Sequence, residues 1–205
     1  KANDAKLNFF SKMSHDIRTP LNAVLGMTQI AIKYKNDEKK LDNALENITS
    51  EGNYLLTMIN SILDVNQLEH GHVELINKPF NPEECMRESV DVLKPLAQKR
   101  EQTITVSSNF KDHVVVGDSG RFSQIMVNIV SNAIKYTDIG GKIDVSMESL
   151  PGNRYRFTCS DNGIGMEPEY IKHICEDYSR AEDSRTSSTE GTGLGMAVVK
   201  GFTEL

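Results

Sequence analysis

Along the first third of the chain, apolar or small residues return in alternating steps of three and four. One series runs Leu7, Phe10, Ser14, Ile17, Leu21, Val24, Thr28; a second runs Leu41, Leu45, Ile48, Gly52, Leu55, Ile59, Ile62. That spacing is the heptad seam of helices that pack along their length. The break between the series, Lys35-Asn36-Asp37-Glu38, is short and polar and predicts an antiparallel helical hairpin. A lone hairpin leaves apolar stripe uncovered. Pairing with a second copy would complete a four-helix bundle, so a homodimer is expected.

From about Gly71 the pattern changes. Val73-Glu74-Leu75-Ile76 reads as a short strand. Asn81-Pro82-Glu83-Glu84 has the form of a helix start, with Asn at the cap, Pro in the first turn and a Glu placed to reach back. A helix to about Arg100 should follow, then strands near Thr103–Ser107 and Val114–Gly117. Asp118 is placed to cap a helix running to about Tyr136. Gly140-Gly141 then turns the chain into a predicted hairpin, Lys142–Ser149 against Arg154–Cys159, around Pro151-Gly152-Asn153. Helices mixed with antiparallel strands predict an α+β architecture: the helical hairpin, residues 1–71, then a sandwich of one helix-covered sheet, residues 72–205. The polar stretch from Ser179 to Thr192 reads as a loop.

Composition narrows the classes. The chain has 205 residues, 38% hydrophobic and 25% charged, enough apolar material for a packed core. A net charge of -6 argues against a general nucleic-acid binder. No apolar run approaches the roughly 20 residues that cross a bilayer. The start, Lys1-Ala2-Asn3-Asp4, is neither an initiator Met nor a signal peptide, so a larger parent protein is expected. Cys85, Cys159 and Cys175 are an odd number without paired spacing and read as reduced thiols of a cytosolic compartment.

Four clusters carry candidate chemistry. His15 lies one position past the seam at Ser14, followed by Asp16, with Thr19 one helical turn on. A nucleophilic imidazole needs one nitrogen bare and the other oriented, and an adjacent carboxylate supplies the orientation. Pro20 removes the backbone hydrogen bond to the carbonyl of Asp16 and is expected to kink or loosen the helix. Next, Asn128 and Asn132 are four apart on a predicted helix, with Lys135 close by. Amide oxygens plus water suit Mg²⁺, and a lysine suits phosphate. Asp161-Asn162-Gly163-Ile164-Gly165 follows a predicted strand; its glycines permit a sharp turn and close approach to a flat ligand. A buried carboxylate there would accept the exocyclic amine of adenine. Finally, Gly191-Thr192-Gly193-Leu194-Gly195 opens an apolar helix, where exposed amides bind anions. Its spacing is not that of a Rossmann fingerprint, and no Gly-Lys-Ser/Thr follows as in a Walker loop. Each cluster by itself also has an ordinary reading: an exposed His, solvated Asn residues, a turn. His70, His72, His113 and His173 show no ligand-like grouping.

Phe10–Leu21, containing His15-Asp16-Ile17-Arg18-Thr19-Pro20, closely resembles the phosphoacceptor box of sensor histidine kinases, and the other clusters resemble that family's remaining boxes in order and spacing. The resemblance implies that His15 accepts a phosphoryl group from ATP and passes it to an aspartate of a response-regulator receiver domain, in the same chain or a separate one. It implies Asn132 as the Mg²⁺ ligand, and Asn128, Lys135 and Tyr136 as nucleotide-lining residues. Asp161 becomes the adenine-reading residue, flanked by Gly163 and Gly165. Gly191, Thr192, Gly193, Leu194 and Gly195 become the second glycine box of a Bergerat-type ATP-binding fold. Arg180 matches a lid arginine that reaches the γ-phosphate, although Cys175 stands where the family usually has Phe. The family usually continues beyond Leu205 with more helix and a strand pair, so the ATP-binding domain is expected to lack its C-terminal part. Two further readings stand beside the kinase: a regulator phosphatase in which Thr19 places a water, and a dimeric nucleotide-binding scaffold. The expected setting is a cytoplasmic module of a larger sensor, with no membrane segment and no nucleic-acid partner.

Overall fold

The computed structural model describes residues 2–109, 114–152, 154–175 and 193–205, with side chains from Met13 onward. The chain divides into two compact units, Lys1–Asn66 and Gln67–Leu205.

The first unit holds two 32-residue helices, α1 (Ala2–Lys33) and α2 (Glu38–Glu69), the latter extending into the second unit. At the tip, Tyr34 receives the ammonium groups of Lys33 and Lys40 over its ring, at 5.1 and 4.5 Å from the centroid. Asp37 pairs with Lys40, which holds its carboxyl below the usual range and raises the Lys40 ammonium. The helix runs through Pro20 without interruption, and Pro20 is buried.

The apolar seam is not the single stripe expected. On α2 the sheltered row is Leu41, Ala44, Ile48, Leu55, Met58, Ile62 and Val65, whereas Leu45 and Ile59 from the predicted seam are exposed, together with Leu56 and Leu63. On α1, Leu21, Leu25 and Ile32 face outward while Val24, Met27 and Ala31 are more sheltered. Each helix therefore carries a sheltered apolar row and an outward one, a wider band than a single seam.

The second unit contains β1 (Lys78–Phe80), α3 (Pro82–Lys99), β2 (Thr103–Asn109), β3 (Val115–Gly117), α4 (Ser119–Tyr136), β4 (Lys142–Leu150), β5 (Arg154–Asp161), α5 (Pro168–Ile171) and α6 (Gly195–Glu204). Both predicted caps form. Asn81 Oδ1 accepts from the amides of Glu83 (3.0 Å) and Glu84 (3.3 Å). Asp118 Oδ1 accepts from the Arg121 amide at 3.0 Å. The Glu83 carboxylate meets Arg87 and the Ser108 hydroxyl.

The predicted strand at Val73–Ile76 is displaced. That segment has no strand, and β1 begins at Lys78, where Lys78, Pro79 and Phe80 pair antiparallel with Gly117, Val116 and Val115. The Ile76 amide instead donates to Asp118 Oδ2 at 2.9 Å. The main sheet has the order β2-β4-β5, with β2 parallel to β4 and β4 antiparallel to β5. The expected antiparallel hairpin of β4 and β5 forms, and β2 adds a parallel neighbour, because α4 carries the chain back before β4 begins. Met86 and Val90 of α3, with Met126, Val130 and Ile134 of α4, pack against Ile143, Val145 and Met147 of β4 as one core. That packing fixes α4, and α4 carries the amide and lysine cluster.

Candidate active site

His15 lies on α1 with its side chain 78% exposed, so its ring is open to an incoming group. Asp16 Oδ1 stands 3.4 Å from His15 Nδ1, a long contact that puts the carboxylate beside one of the two ring nitrogens. One turn later, the Thr19 hydroxyl donates to the His15 carbonyl at 3.2 Å. Its proton is committed to the helix, and its lone pairs remain to accept from a water.

The second cluster is built on α4. Asn128 and Asn132, one turn apart, share a helix face and are partly sheltered. Lys135 Nζ lies over the Tyr136 ring, 4.7 Å from its centroid. The last turn of α4 meets the first glycine loop directly: the Ile164 amide donates to the Tyr136 carbonyl at 3.1 Å. Gly163 is required at this approach, because a Cβ there would overlap the Tyr136 carbonyl oxygen. Its amide donates to Asp161 Oδ1 at 3.0 Å, and Gly165 has φ +66°, the left-handed region that favours glycine. Asp161 closes β5 opposite Ile143. It is exposed rather than buried, which corrects the buried-carboxylate expectation: Asp161 is the last residue of its strand.

The second glycine box reaches the same helix. A Cβ on Gly195 would lie 3.7 Å from Asn128 Oδ1, so the start of α6 abuts the amide face of α4. Gly193 has φ +70° and Leu194 is buried. Gly191, Thr192 and Arg180 lie outside the described residues, as does the Ser179–Thr192 loop. The structure thus brings Asn128, Tyr136, Gly163 and Gly195 together around α4. No three His, Cys, Asp or Glu side chains gather as a metal site among the described residues. A Mg²⁺ that arrives on a nucleotide needs only one or two protein oxygens, and the Asn132 amide fits that requirement.

The sequence reading missed two residues near this site. Gln102, only 7% exposed, donates through Nε2 to the carbonyls of Ile134 (2.9 Å), Thr137 (2.7 Å) and Asp138 (3.3 Å). Arg100 Nη2 donates to those of Thr137 (3.0 Å) and Lys135 (3.5 Å). The one available signal was a glutamine at the head of a strand whose next residues alternate.

Comparison with known proteins completes the picture. Residues 5–71 match the His Kinase A (phospho-acceptor) domain, and residues 117–205 match the histidine kinase-, DNA gyrase B-, and HSP90-like ATPase. Over its whole length the chain is 36% identical to an uncharacterized sensor-like histidine kinase of Rhizobium meliloti (strain 1021) and 34% identical to the sensor protein GacS of Pseudomonas syringae pv. syringae. It is 30% identical to the autoinducer 2 sensor kinase/phosphatase LuxQ of Vibrio harveyi. It spans 39%, 23% and 24% of those proteins. Full-length ShkA in complex with AMPPNP shares the fold with a TM-score of 0.70 and 27% identity, over 95% of this chain and 40% of that one. Histidine kinase ThkA in complex with response regulator protein TrrA does so with a TM-score of 0.61 and 25% identity, over 84% of this chain and 49% of that one. Among the described residues no helix is long and apolar enough to cross a membrane. The chain belongs to the sensor histidine kinases, with their phosphoacceptor and ATP-binding domains.

Proposed function

We propose that this chain is a kinase core that phosphorylates His15 from ATP and passes the group to an aspartate of a response-regulator receiver domain. The observation that carries this reading is the His15-Asp16 pair, with one ring nitrogen facing a carboxylate and the ring otherwise open. Nε2 attacks the γ-phosphorus, the bond to the β–γ bridging oxygen breaks, and ADP leaves. The Nδ1 proton stays between ring and carboxylate, where Asp16 stabilises the positive charge that develops on the imidazole. The Lys135 ammonium and the amides around Gly193–Gly195 hold phosphate, while Asp161 accepts from the adenine amine. Mg²⁺ bound with the nucleotide supplies neutralisation of phosphate charge; Asn132, with Asn128 one turn away, is the residue to hold it. In this reading Gly163 and Gly165 shape the adenine end, Gly191 and Thr192 extend the phosphate loop, and Arg180 assists the γ-phosphate.

The division of labour follows residues 1–71 for phosphoacceptance and dimerisation and 72–205 for nucleotide. The outward rows, Leu21, Leu25 and Ile32 with Leu45, Leu56, Ile59 and Leu63, are the surface for a second copy. Sedimentation equilibrium showing a single chain per particle would exclude the dimer. We place the module on the cytoplasmic side of a larger sensor, where ATP is supplied. The test of the kinase reading is His15→Ala. Incubation with γ-labelled ATP should leave no acid-labile label on the variant, while its affinity for ADP stays within about twofold of wild type, since the nucleotide residues lie in the other unit.

Thr19 favours a second activity. It stands exposed one turn beyond His15 with its lone pairs available, the position from which a water could be aimed at an aspartyl phosphate. Thr19→Ala is expected to slow loss of label from a phosphorylated receiver while sparing gain of label by His15. Equal loss of both rates would mean that Thr19 acts through helix structure alone.

A further inference from the structure

The end of α4 is held from outside the helix. A helix leaves its last carbonyls without partners, and here five successive ones, from Ile134 to Asp138, are all engaged. Tyr136 O accepts from the first glycine loop through Ile164. The other four accept from Gln102 and Arg100, at the head of β2. The Gln102 amide has one orientation here, because its oxygen turned the same way would oppose three carbonyl oxygens.

The chain strains to deliver this pair. α3 ends in a turn in which the Glu101 amide donates to Gln98 O (2.9 Å) and the Gln102 amide to Ala97 O (3.0 Å). That motif wants the residue carrying the first of these amides in the left-handed region, and Glu101 adopts φ +56° where glycine would be unstrained. The same spot retains buried polar atoms without a partner, Gln102 Oε1, Arg100 Nε and Thr137 Oγ1. The strap thus holds its carbonyls at the cost of unsatisfied polar atoms of its own.

We propose that Gln102, assisted by Arg100, is a positioning residue of the nucleotide site. It sets the height and rotation of the last turn of α4, hence Lys135 and Tyr136. Through the Tyr136 carbonyl it also sets the loop Asp161–Gly165 that reads adenine. This inference rests on the nucleotide-binding reading above. Releasing the strap lets the turn and the loop drift together, so the loss falls on adenine recognition rather than on folding alone.

The experiment is calorimetric titration of the full chain with ADP and with inosine diphosphate, which lacks the adenine amine. It is run on wild type, Gln102→Leu and Arg100→Met, each checked by circular dichroism at the titration temperature. Gln102→Leu should weaken ADP about tenfold, the loss expected for orphaned buried hydrogen-bonding groups, and Arg100→Met about threefold. The ratio of the two nucleotide affinities, in which any loss of folded fraction cancels, should fall by at least about threefold for Gln102→Leu. Weaker ADP binding at an unchanged ratio would overturn the proposal, because a merely structural role does that. Unchanged ADP affinity in a folded Gln102→Leu protein would overturn it as well. If Gln102→Leu does not fold, Arg100→Met decides by the same ratio. Failure of wild type itself to bind ADP would remove the nucleotide reading and this inference together.

Discussion

The two units spend their apolar residues differently. In the second unit Met86, Val90, Met126, Val130 and Ile143 are fully enclosed, and the core is closed by its own sheet and two helices. In the hairpin the large apolar side chains Leu25, Leu56 and Leu63 are each more than half exposed, while among the residues with described side chains the buried positions are few: Pro20, Ala44, Met58, Asp64 and Val65. Burial of apolar area is the main favourable term in folding, so the hairpin by itself leaves much of its driving force unused. The second unit encloses a core among its described residues, while the hairpin keeps large apolar side chains on the outside.

That contrast yields graded expectations. The largest concerns close approach in the nucleotide unit. Gly163→Ala drives a methyl group into the Tyr136 carbonyl, and backbone cannot yield as a flexible side chain does. A loss of about 1–3 kcal/mol in unfolding stability is expected, with weakened ADP binding, read by denaturant unfolding and by titration. Stability within error of wild type would show that the loop relaxes and is not locked to α4.

The next concerns Asp118. Its carboxyl is held below the usual range, first by the Ile76 amide and then, against a smaller penalty of burial, by the Arg121 and Gly120 amides. A lowered value in the folded state means that the carboxylate's contribution is complete above the ordinary pKa, roughly 4, and disappears as pH falls through the folded value. Asp118→Ala should therefore cost about 1 kcal/mol at neutral pH, as loss of a helix cap does. Melting curves of the variant and wild type should converge on acidification. A gap that persists in strong acid would assign the effect to shape rather than charge.

The smallest is a gain, and it comes from the hairpin. Gly26 lies inside α1 with nothing within 4 Å of where a Cβ would sit. Gly26→Ala should raise stability by about 0.5–1 kcal/mol, since glycine loses more backbone entropy in a helix than alanine does. The same substitution, harmful at Gly163 and helpful at Gly26, measures the difference in how tightly the two units are packed. A loss at Gly26 would mean that the hairpin is more closely covered than one chain shows.

Much of this was legible in residues taken a few at a time. The helical period marked both hairpin helices, Asn81 and Asp118 announced their caps, and the turn at Pro151-Gly152 placed β4 against β5. The motifs located His15, Asp16 and Thr19 on one helix and Asn128, Asn132, Lys135 and Tyr136 on another. These are local matters: a cap, a turn or a period is settled by atoms within a few residues of one another. Tertiary structure decided the rest. It moved β1 from Val73–Ile76 to Lys78–Phe80, because the strand that pairs with it, Val115–Gly117, comes only after α3 and β2 in the chain. It set β2 parallel to β4, split the hairpin's seam into sheltered and outward rows, and left Asp161 exposed at a strand end. It also sent Gln102 to the carbonyls that end α4, 32 to 36 residues away in the chain. A hydrogen-bond donor's residue type states only that it needs an acceptor. Which acceptor it finds depends on where a distant segment has been packed, and no short-range pattern carries that information.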